Sequence, residues 1–303
     1  MKTLKKTLII IFLLFGGALH ANDNIEDMLI INRNFLNLEY QRASTSSFFN
    51  YSGSQTYEIP DSIDIFHRKE YTYESKHNII QLAASQKLLG TKNLNFYMGL
   101  TLPLQFNSYE NLHKRLHDSI PDLIESYSNT IVPYIAIKTG VDFKFANFYL
   151  LGGVTYNASL ASKDHFQIFD TYYSNIIPEL SFIYDAKMSY FNLDLAYKKY
   201  LDGNISDEFL ARFAVGLTTV ESSVLRTYLE YSRSLDPINT NIKFLPEKYQ
   251  LQSENLKLGI DFQLLIEKTL VPRLAYELVM SGKNNQIYSK FSIGAGIKIG
   301  FLK

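Results

Sequence analysis

The chain of 303 residues contains no cysteine and no tryptophan, and its 30 Lys and Arg are balanced by 30 Asp and Glu. The missing cysteine excludes a disulfide scaffold and a lipid-modified lipoprotein, both of which need a thiol. Charge balance excludes the basic footprint of a nucleic-acid-binding domain. After residue 21 no stretch approaches 18 consecutive apolar residues, so no transmembrane helix is expected. What is abundant is Tyr and Phe, 22 and 21 residues, at near-neutral mean hydropathy. That combination suits an exported β-rich soluble domain. It also suits a membrane barrel, whose lumen-facing residues interrupt each apolar face and hide it from a hydropathy plot.

The N-terminus reads as an export signal. Lys2, Lys5 and Lys6 form a positive region, Leu8 to Phe15 an apolar one, and Gly16, Gly17, Ala18 and Ala21 supply small residues for cleavage after Ala18 or Ala21. The apolar run is well short of the ~20 residues a spanning helix needs. The expected organisation is a signal over 1–21, a short periplasmic segment over 22–33, and one β-domain over 34–303.

Period-two alternation dominates from about residue 94. In 94–106, Leu94, Phe96, Met98, Leu100, Leu102, Leu104 and Phe106 share one face, and Asn95, Tyr97, Gly99, Thr101 and Gln105 share the other with Pro103. A helix would scatter these apolar residues around its axis, so a strand is predicted, with a local bulge at Pro103. Similar stretches lie at 34–42, 77–88, 131–145, 148–157, 176–185, 190–199, 208–218, 224–233, 254–264, 270–280 and from 287, twelve strands in all. Their connections alternate between short and longer ones. That is the habit of a transmembrane antiparallel up-and-down β-barrel with short periplasmic turns and long extracellular loops.

On these features the chain resembles the bacterial outer-membrane β-barrel class over its mature length. Ser292, Gly294, Ile297 and Ile299 are similar to the polar-x-Gly-x-x-apolar-x-apolar assembly signal of that class, although the chain runs past Phe301 to Leu302 and Lys303. The resemblance implies a cell outer-membrane address, outer-membrane lipid around the barrel and the barrel assembly machinery as partners. It implies no substrate, and no cofactor is expected.

Twelve strands enclose more space than side chains alone fill. The polar face is therefore expected to line the lumen, with ten basic residues, Lys87, Lys138, Lys144, Lys198, Arg212, Arg226, Lys257, Arg273, Lys290 and Lys298. Eight acidic residues join them: Glu39, Asp142, Glu179, Asp185, Asp194, Glu230, Asp261 and Glu277. All but Lys87, Lys144, Glu39, Glu179 and Asp185 are candidates for a constriction. The excess, 10 − 8, predicts a weak preference for anions. A turn centred on Glu267 would set Lys257 opposite Glu277 and Asp261 opposite Arg273. A turn centred on Glu221 would set Arg212 opposite Glu230, and a tip between Lys283 and Asn284 would set Glu277 opposite Lys290. Opposed charges on one sheet face stabilise it by ~0.2–1 kcal/mol a pair. Such a set can form a selective constriction for small polar solutes, or a ladder of ion pairs that braces or closes the barrel.

Two segments raise other chemistry. In 107–130, Leu112, Leu116, Ile120, Leu123 and Ile124 recur at helical spacing, and an amphipathic helix divided at Pro121 is expected. His113 and His117 would then share a face at metal-ligand spacing, but Lys114 and Arg115 repel a cation and no third ligand is evident, so no metal is assigned. Outer-membrane phospholipases and deacylases are known members of the class. However, His77 and the adjacent Asn78 point to opposite faces, and no serine with a histidine and a third orienting group is evident in register, so no catalytic residue is assigned. His67, His77 and His165 are read as loop or rim residues. The Ser- and Tyr-rich loop 43–76 leaves a barrel that acts through its outer loops, as an adhesin or structural component, as the alternative.

Overall fold

The computed structural model describes residues 34–49, 55–56, 68–91, 93–115, 123–160, 173–186, 189–201, 206–220, 223–235, 253–266, 269–283 and 285–298. The export signal, the segment 22–33, Ile299 and the C-terminal Phe301–Lys303 lie outside the described residues, as do His67, His117 and His165. The described strands are β1 (Asn34–Phe49), β2 (Gln55–Thr56), β3 (Arg68–Gly90), β4 (Leu94–Arg115), β5 (Leu123–Ile131), β6 (Tyr134–Phe145) and β7 (Phe148–Ser159). They continue as β8 (Asn175–Asp185), β9 (Ser189–Tyr200), β10 (Glu208–Val220), β11 (Ser223–Ser234), β12 (Glu254–Leu264), β13 (Leu270–Lys283) and β14 (Asn285–Lys298). Apart from β2 and β5, successive strands pair antiparallel, and β14 pairs back onto β1 from Phe35↔Lys298 to Phe49↔Asn285, closing the sheet. Setting aside β2 and β5, which flank β1 and β4 at one end, the closed wall has the expected twelve strands.

Alternation decides which way each strand faces. Leu100 and Phe213 are 50% exposed and Ile293 48%, on the outside of the wall, whereas Ala214 on the inner face is 0% exposed. The outer face is sorted along its height. Phe96, Phe143, Phe145, Phe148, Phe182, Tyr184, Phe191 and Phe262 ring the end where the short turns lie. Tyr40, Phe106, Tyr156, Phe209 and Tyr231 stand toward the other end, with Leu38, Leu82, Leu100, Val154, Leu193, Leu229 and Ile260 between. Two aromatic girdles around an aliphatic band are how a barrel meets the two faces of a bilayer. With no Trp in the chain, Phe and Tyr take that place. The inverse arrangement, with greasy residues inside, would have made a soluble barrel.

The turn end holds the connections after β3, β6, β8, β10 and β12; Ala146–Asn147 is a two-residue turn in which Ala146 adopts φ 51°. At the loop end the strands outrun the sequence reading: β3 spans 23 residues and β4 22. The segment 107–130 is not helical where it is described. It continues β4 to Arg115 and returns as β5, with Asn107 facing Asn129 and His113 facing Leu123. A strand has no i, i+4 face, so the spacing that suggested a metal pair has no structural counterpart at His113. The connection after β13 is also tighter than expected, with one residue between Lys283 and Asn285.

The bulge expected in β4 at Pro103 is not seen there, since Gln81 faces Pro103 in an unshifted stretch of the β3 ladder; the extra residue lies on the strands across from it. Thr101 faces Ala136 and Gln105 faces Ile131, so four steps along β4 match five along its partner. Pro103 and Pro133 are both fully buried at this break, and neither has an N–H to keep the ladder continuous.

Candidate functional site: the charged band of the lumen

Period-two alternation brings charge from successive strands to one height on the inner face. β11 supplies Arg226, Tyr228 and Glu230, β12 supplies Lys257 and Asp261, and β13 supplies Arg273 and Glu277. Arg212 of β10, Tyr288 and Lys290 of β14 and Glu39 of β1 complete the set. Glu230 faces Arg212 on one side and Lys257 on the other. Its carboxylate accepts from the Arg212 guanidinium, with Nε at 2.9 Å, and from Lys257 Nζ at 2.9 Å. Asp261 faces Arg226 and accepts from its Nη2 at 2.5 Å. It also accepts from Arg273 Nε at 3.0 Å and Nη2 at 3.1 Å. Arg273 Nη1 reaches on to Glu39 at 2.8 Å, coupling β13 to β1 across the closing seam. Glu277 faces Lys290, 3.3 Å from its Nζ.

Tyr228 joins these pairs into one network. Its ring lies 4.8 Å from the Arg212 guanidinium carbon and 5.9 Å from that of Arg226, and its hydroxyl donates to Glu277 Oε2 at 2.7 Å. The ring lies flat over Gly259, where an added Cβ would stand 2.0 Å from Tyr228 Cζ. Tyr190 covers Gly216 and Tyr97 covers Gly140 in the same manner, each across a directly paired position. Among the described residues three tyrosines thus lie against the wall where the next strand offers a glycine.

A second group lies on β6 to β9. Lys138 pairs with Glu179, reaching past Gly153, and Asp194 accepts from Ser181 Oγ at 2.6 Å and Asn192 Nδ2 at 3.1 Å. The other constriction candidates stand apart. Asp142 is buried toward the turn end, accepting from Asn95 Nδ2 at 2.8 Å. Lys198 is near the loop end, 3.6 Å from Glu208, and Lys298 is exposed at the last residue of β14.

Two registers follow the sequence reading and one does not. Arg212↔Glu230 and Glu277↔Lys290 are opposed as expected. The β12–β13 hairpin is two residues out: Asp261 faces Ala275, Gln263 faces Arg273 and Lys257 faces Val279. The Ile266 carbonyl accepts from Thr269 N at 3.1 Å and Leu270 N at 3.0 Å, which centres the turn on residue 268 rather than Glu267. Asp261 and Arg273 still meet, as a diagonal pair.

The six cations Lys138, Arg212, Arg226, Lys257, Arg273 and Lys290 stand with six carboxylates, Glu39, Glu179, Asp194, Glu230, Asp261 and Glu277. The mid-lumen band is therefore electroneutral, 6 − 6, and the expected excess of positive charge lies toward the barrel ends. A cavity of about 140 Å³ opens among Glu39, Gln41, Gln81, Arg212, Arg226, Tyr228, Arg273, Glu277, Lys290 and Ser292. It is well above the ~10–15 Å³ that one water centre needs.

One constellation escaped the sequence reading. His77 Nδ1 lies 2.8 Å from Asn107 Oδ1, and His77 Nε2 lies 3.1 Å from Ser75 Oγ. Asn107 also accepts from Gln105 Nε2 at 2.6 Å and donates to Asn129 Oδ1 at 2.8 Å. The signal was available, since Ser75 and His77 share a face two residues apart, but the third member comes from β4 and needs the hairpin register. This is the order of a serine, a base and an orienting group. Ser75 is 0% exposed, however, so no substrate reaches its Oγ in this state, and the group reads as a polar brace at the loop end.

No family model matches the chain, and no curated protein matches it in sequence. Among solved structures, the COG4313 outer membrane channel from Pseudomonas putida F1 has a TM-score of 0.62 at 11% identity, covering 88% of this chain and 95% of that one. The transport unit of the autotransporter AIDA-I from Escherichia coli has a TM-score of 0.49 at 8% identity, covering 93% of this chain and 94% of that one. The KdgM porin has a TM-score of 0.47 at 9% identity, covering 87% of this chain and 99% of that one. The first of these likenesses establishes a shared barrel architecture; at such identity it says nothing of cargo.

Proposed function

We propose that this chain is an outer-membrane channel that passes small polar solutes, inserted by the barrel assembly machinery and surrounded by outer-membrane lipid. The observation that carries the reading is a cavity of about 140 Å³ inside a band of opposed charges, in a closed wall whose outer face is apolar. Paired cations and carboxylates offer a polar solute replacements for its lost hydration, and a neutral band disfavours neither sign of ion. The test is conductance in planar bilayers. Folded protein should conduct with weak ion selectivity. Lys290→Gln and Glu39→Gln, both lining the cavity, should move the reversal potential in opposite directions. Folded protein that carries no current sinks the reading.

A second reading has one observation in its favour. Glu230 and Asp261 are each held by two cations, and such a ladder braces a barrel whether or not anything passes. A closed barrel working through its loops would show no conductance and would lose stability when a band carboxylate is neutralised.

A further inference from the structure

The inner face is not polar throughout its height. At the turn end Phe35, Tyr149, Ile183, Tyr190, Val224, Leu265 and Val271 form one contiguous buried cluster, with Leu151 packed against it. All but Leu265, which follows β12 directly, belong to the inward-facing set of a strand, one or two inward positions nearer the turn than the charged band: Val224 precedes Arg226, and Val271 precedes Arg273. The members come from β7, β8, β9, β11, the end of β12, β13 and, across the seam, β1. Their side chains are 3–9% exposed, so they meet one another rather than lumen water. Alternation alone does not require this, because a wet lumen lined by Val and Ile at one end exposes apolar surface to water at ~25 cal/mol per Å².

We infer that this apolar layer is the permeability-limiting element of the channel, placed in series with the charged band and on its turn side. The inference rests on the channel reading and assigns its selectivity step. A charged or strongly hydrated solute enters from the loop end, exchanges hydration for the paired groups of the band, and then meets side chains that are apolar except for the Tyr149 and Tyr190 hydroxyls. Hydrophobic constrictions of this type control passage by wetting and dewetting. The rate at which a solute crosses should follow the cost of hydrating the layer, and the band should set only the preference between charge signs.

The absence of native cysteine makes the test direct. Gln81→Cys places a single thiol at the cavity of the band, and a membrane-impermeant sulfonated methanethiosulfonate is applied to oriented liposomes from one face at a time. Labelling is read by mass spectrometry, which needs no ion current. Rapid modification from the loop face and slow modification from the turn face is the expected result. Adding Val224→Thr, a near-isosteric change, or Ile183→Asn should accelerate turn-face labelling severalfold. The same substitutions in a protein with native Gln81 should raise unitary conductance severalfold and leave the reversal potential unchanged. Folding of each variant is checked by heat-modifiable electrophoretic mobility, and Val224→Thr remains informative if Ile183→Asn does not fold. Equal labelling from both faces in the unmodified layer overturns the inference, as does unchanged conductance in a folded variant that still conducts. If no variant carries current yet turn-face labelling remains slow and layer-dependent, the channel reading fails while the apolar barrier stands.

Discussion

Asp261→Asn separates a brace from a solvated pore. The Asp261 side chain is 0% exposed and holds two guanidiniums, those of Arg226 and Arg273. Arg273 keeps Glu39 at 2.8 Å, so the substitution mainly strands Arg226. Breaking one partner of a buried ion pair costs ~3–5 kcal/mol, because the remaining charge is left uncompensated. The new amide oxygen still accepts one hydrogen bond, worth ~1 kcal/mol. Arg226 is 21% exposed, which lets lumen water offset part of the rest. The expected loss is therefore about 2–4 kcal/mol of unfolding free energy, taking both effects together. With no tryptophan in the chain, urea unfolding in phospholipid vesicles is followed by circular dichroism and by the heat-modifiable electrophoretic shift. A double-mutant cycle with Arg226→Gln should show the double variant losing clearly less than the sum of the singles. A loss below ~0.5 kcal/mol with additive singles would mean that water screens the pair, as it does for surface pairs, and the bracing argument would be refuted.

Other outcomes follow from the same geometry. Gly259→Ala sets a methyl group 2.0 Å from the Tyr228 ring carbon; displacing the ring breaks its bond to Glu277, for an expected loss of ~1–3 kcal/mol in urea unfolding. Leu100→Lys, in the aliphatic band, should cost ~2–4 kcal/mol, whereas Phe145→Lys, in the turn-end girdle, should cost only ~0–1 kcal/mol in charge burial; equal losses would mean that the bilayer does not sit where the girdles place it. Purified protein is expected to leave phospholipid esters intact, since Ser75 is enclosed; turnover abolished by Ser75→Ala would instead establish a hydrolase.

The transmembrane architecture was legible because lipid enforces it. Wherever a strand crosses the apolar band, one face must be greasy, and alternation at Leu94–Phe106 or Phe291–Ile297 records that requirement in the residues themselves. Above the band both faces of a strand meet water, and the requirement lapses. That is why 107–115 and 123–131 carried no period-two signal and their aliphatic residues fell by chance at helical spacing, although β4 and β5 simply continue the hairpin. The apolar layer at the turn end was hidden for the opposite reason. Its members are isolated inward positions on separate strands, and each strand shows only one or two of them. Nothing in a linear pattern marks Val224 and Val271 as neighbours of Tyr190 until the strands are ordered.

Register was legible only to within an even number of residues, and the charged band shows why so much survives that uncertainty. A slip of one residue along a strand turns every lumen charge toward lipid, at ~2–4 kcal/mol for each Lys or Arg near the midplane, so it is strongly excluded. A slip of two keeps all side chains on their faces and exchanges direct neighbours for diagonal ones. The β12–β13 turn takes that second course. Closing on the Ile266 carbonyl, it separates Asp261 from a directly opposed Arg273, yet the long guanidinium recovers the carboxylate at 3.0 and 3.1 Å. Lys257 does not reach Glu277 across a direct pairing and takes Glu230 on the other flank instead, at 2.9 Å. With a long cation on each of β10 to β14, the two-residue slip of this hairpin still leaves each cation a carboxylate within reach. The identity of the faces is thus fixed by the bilayer and the exact pairing by the turn, and a network of long cations tolerates the difference between them.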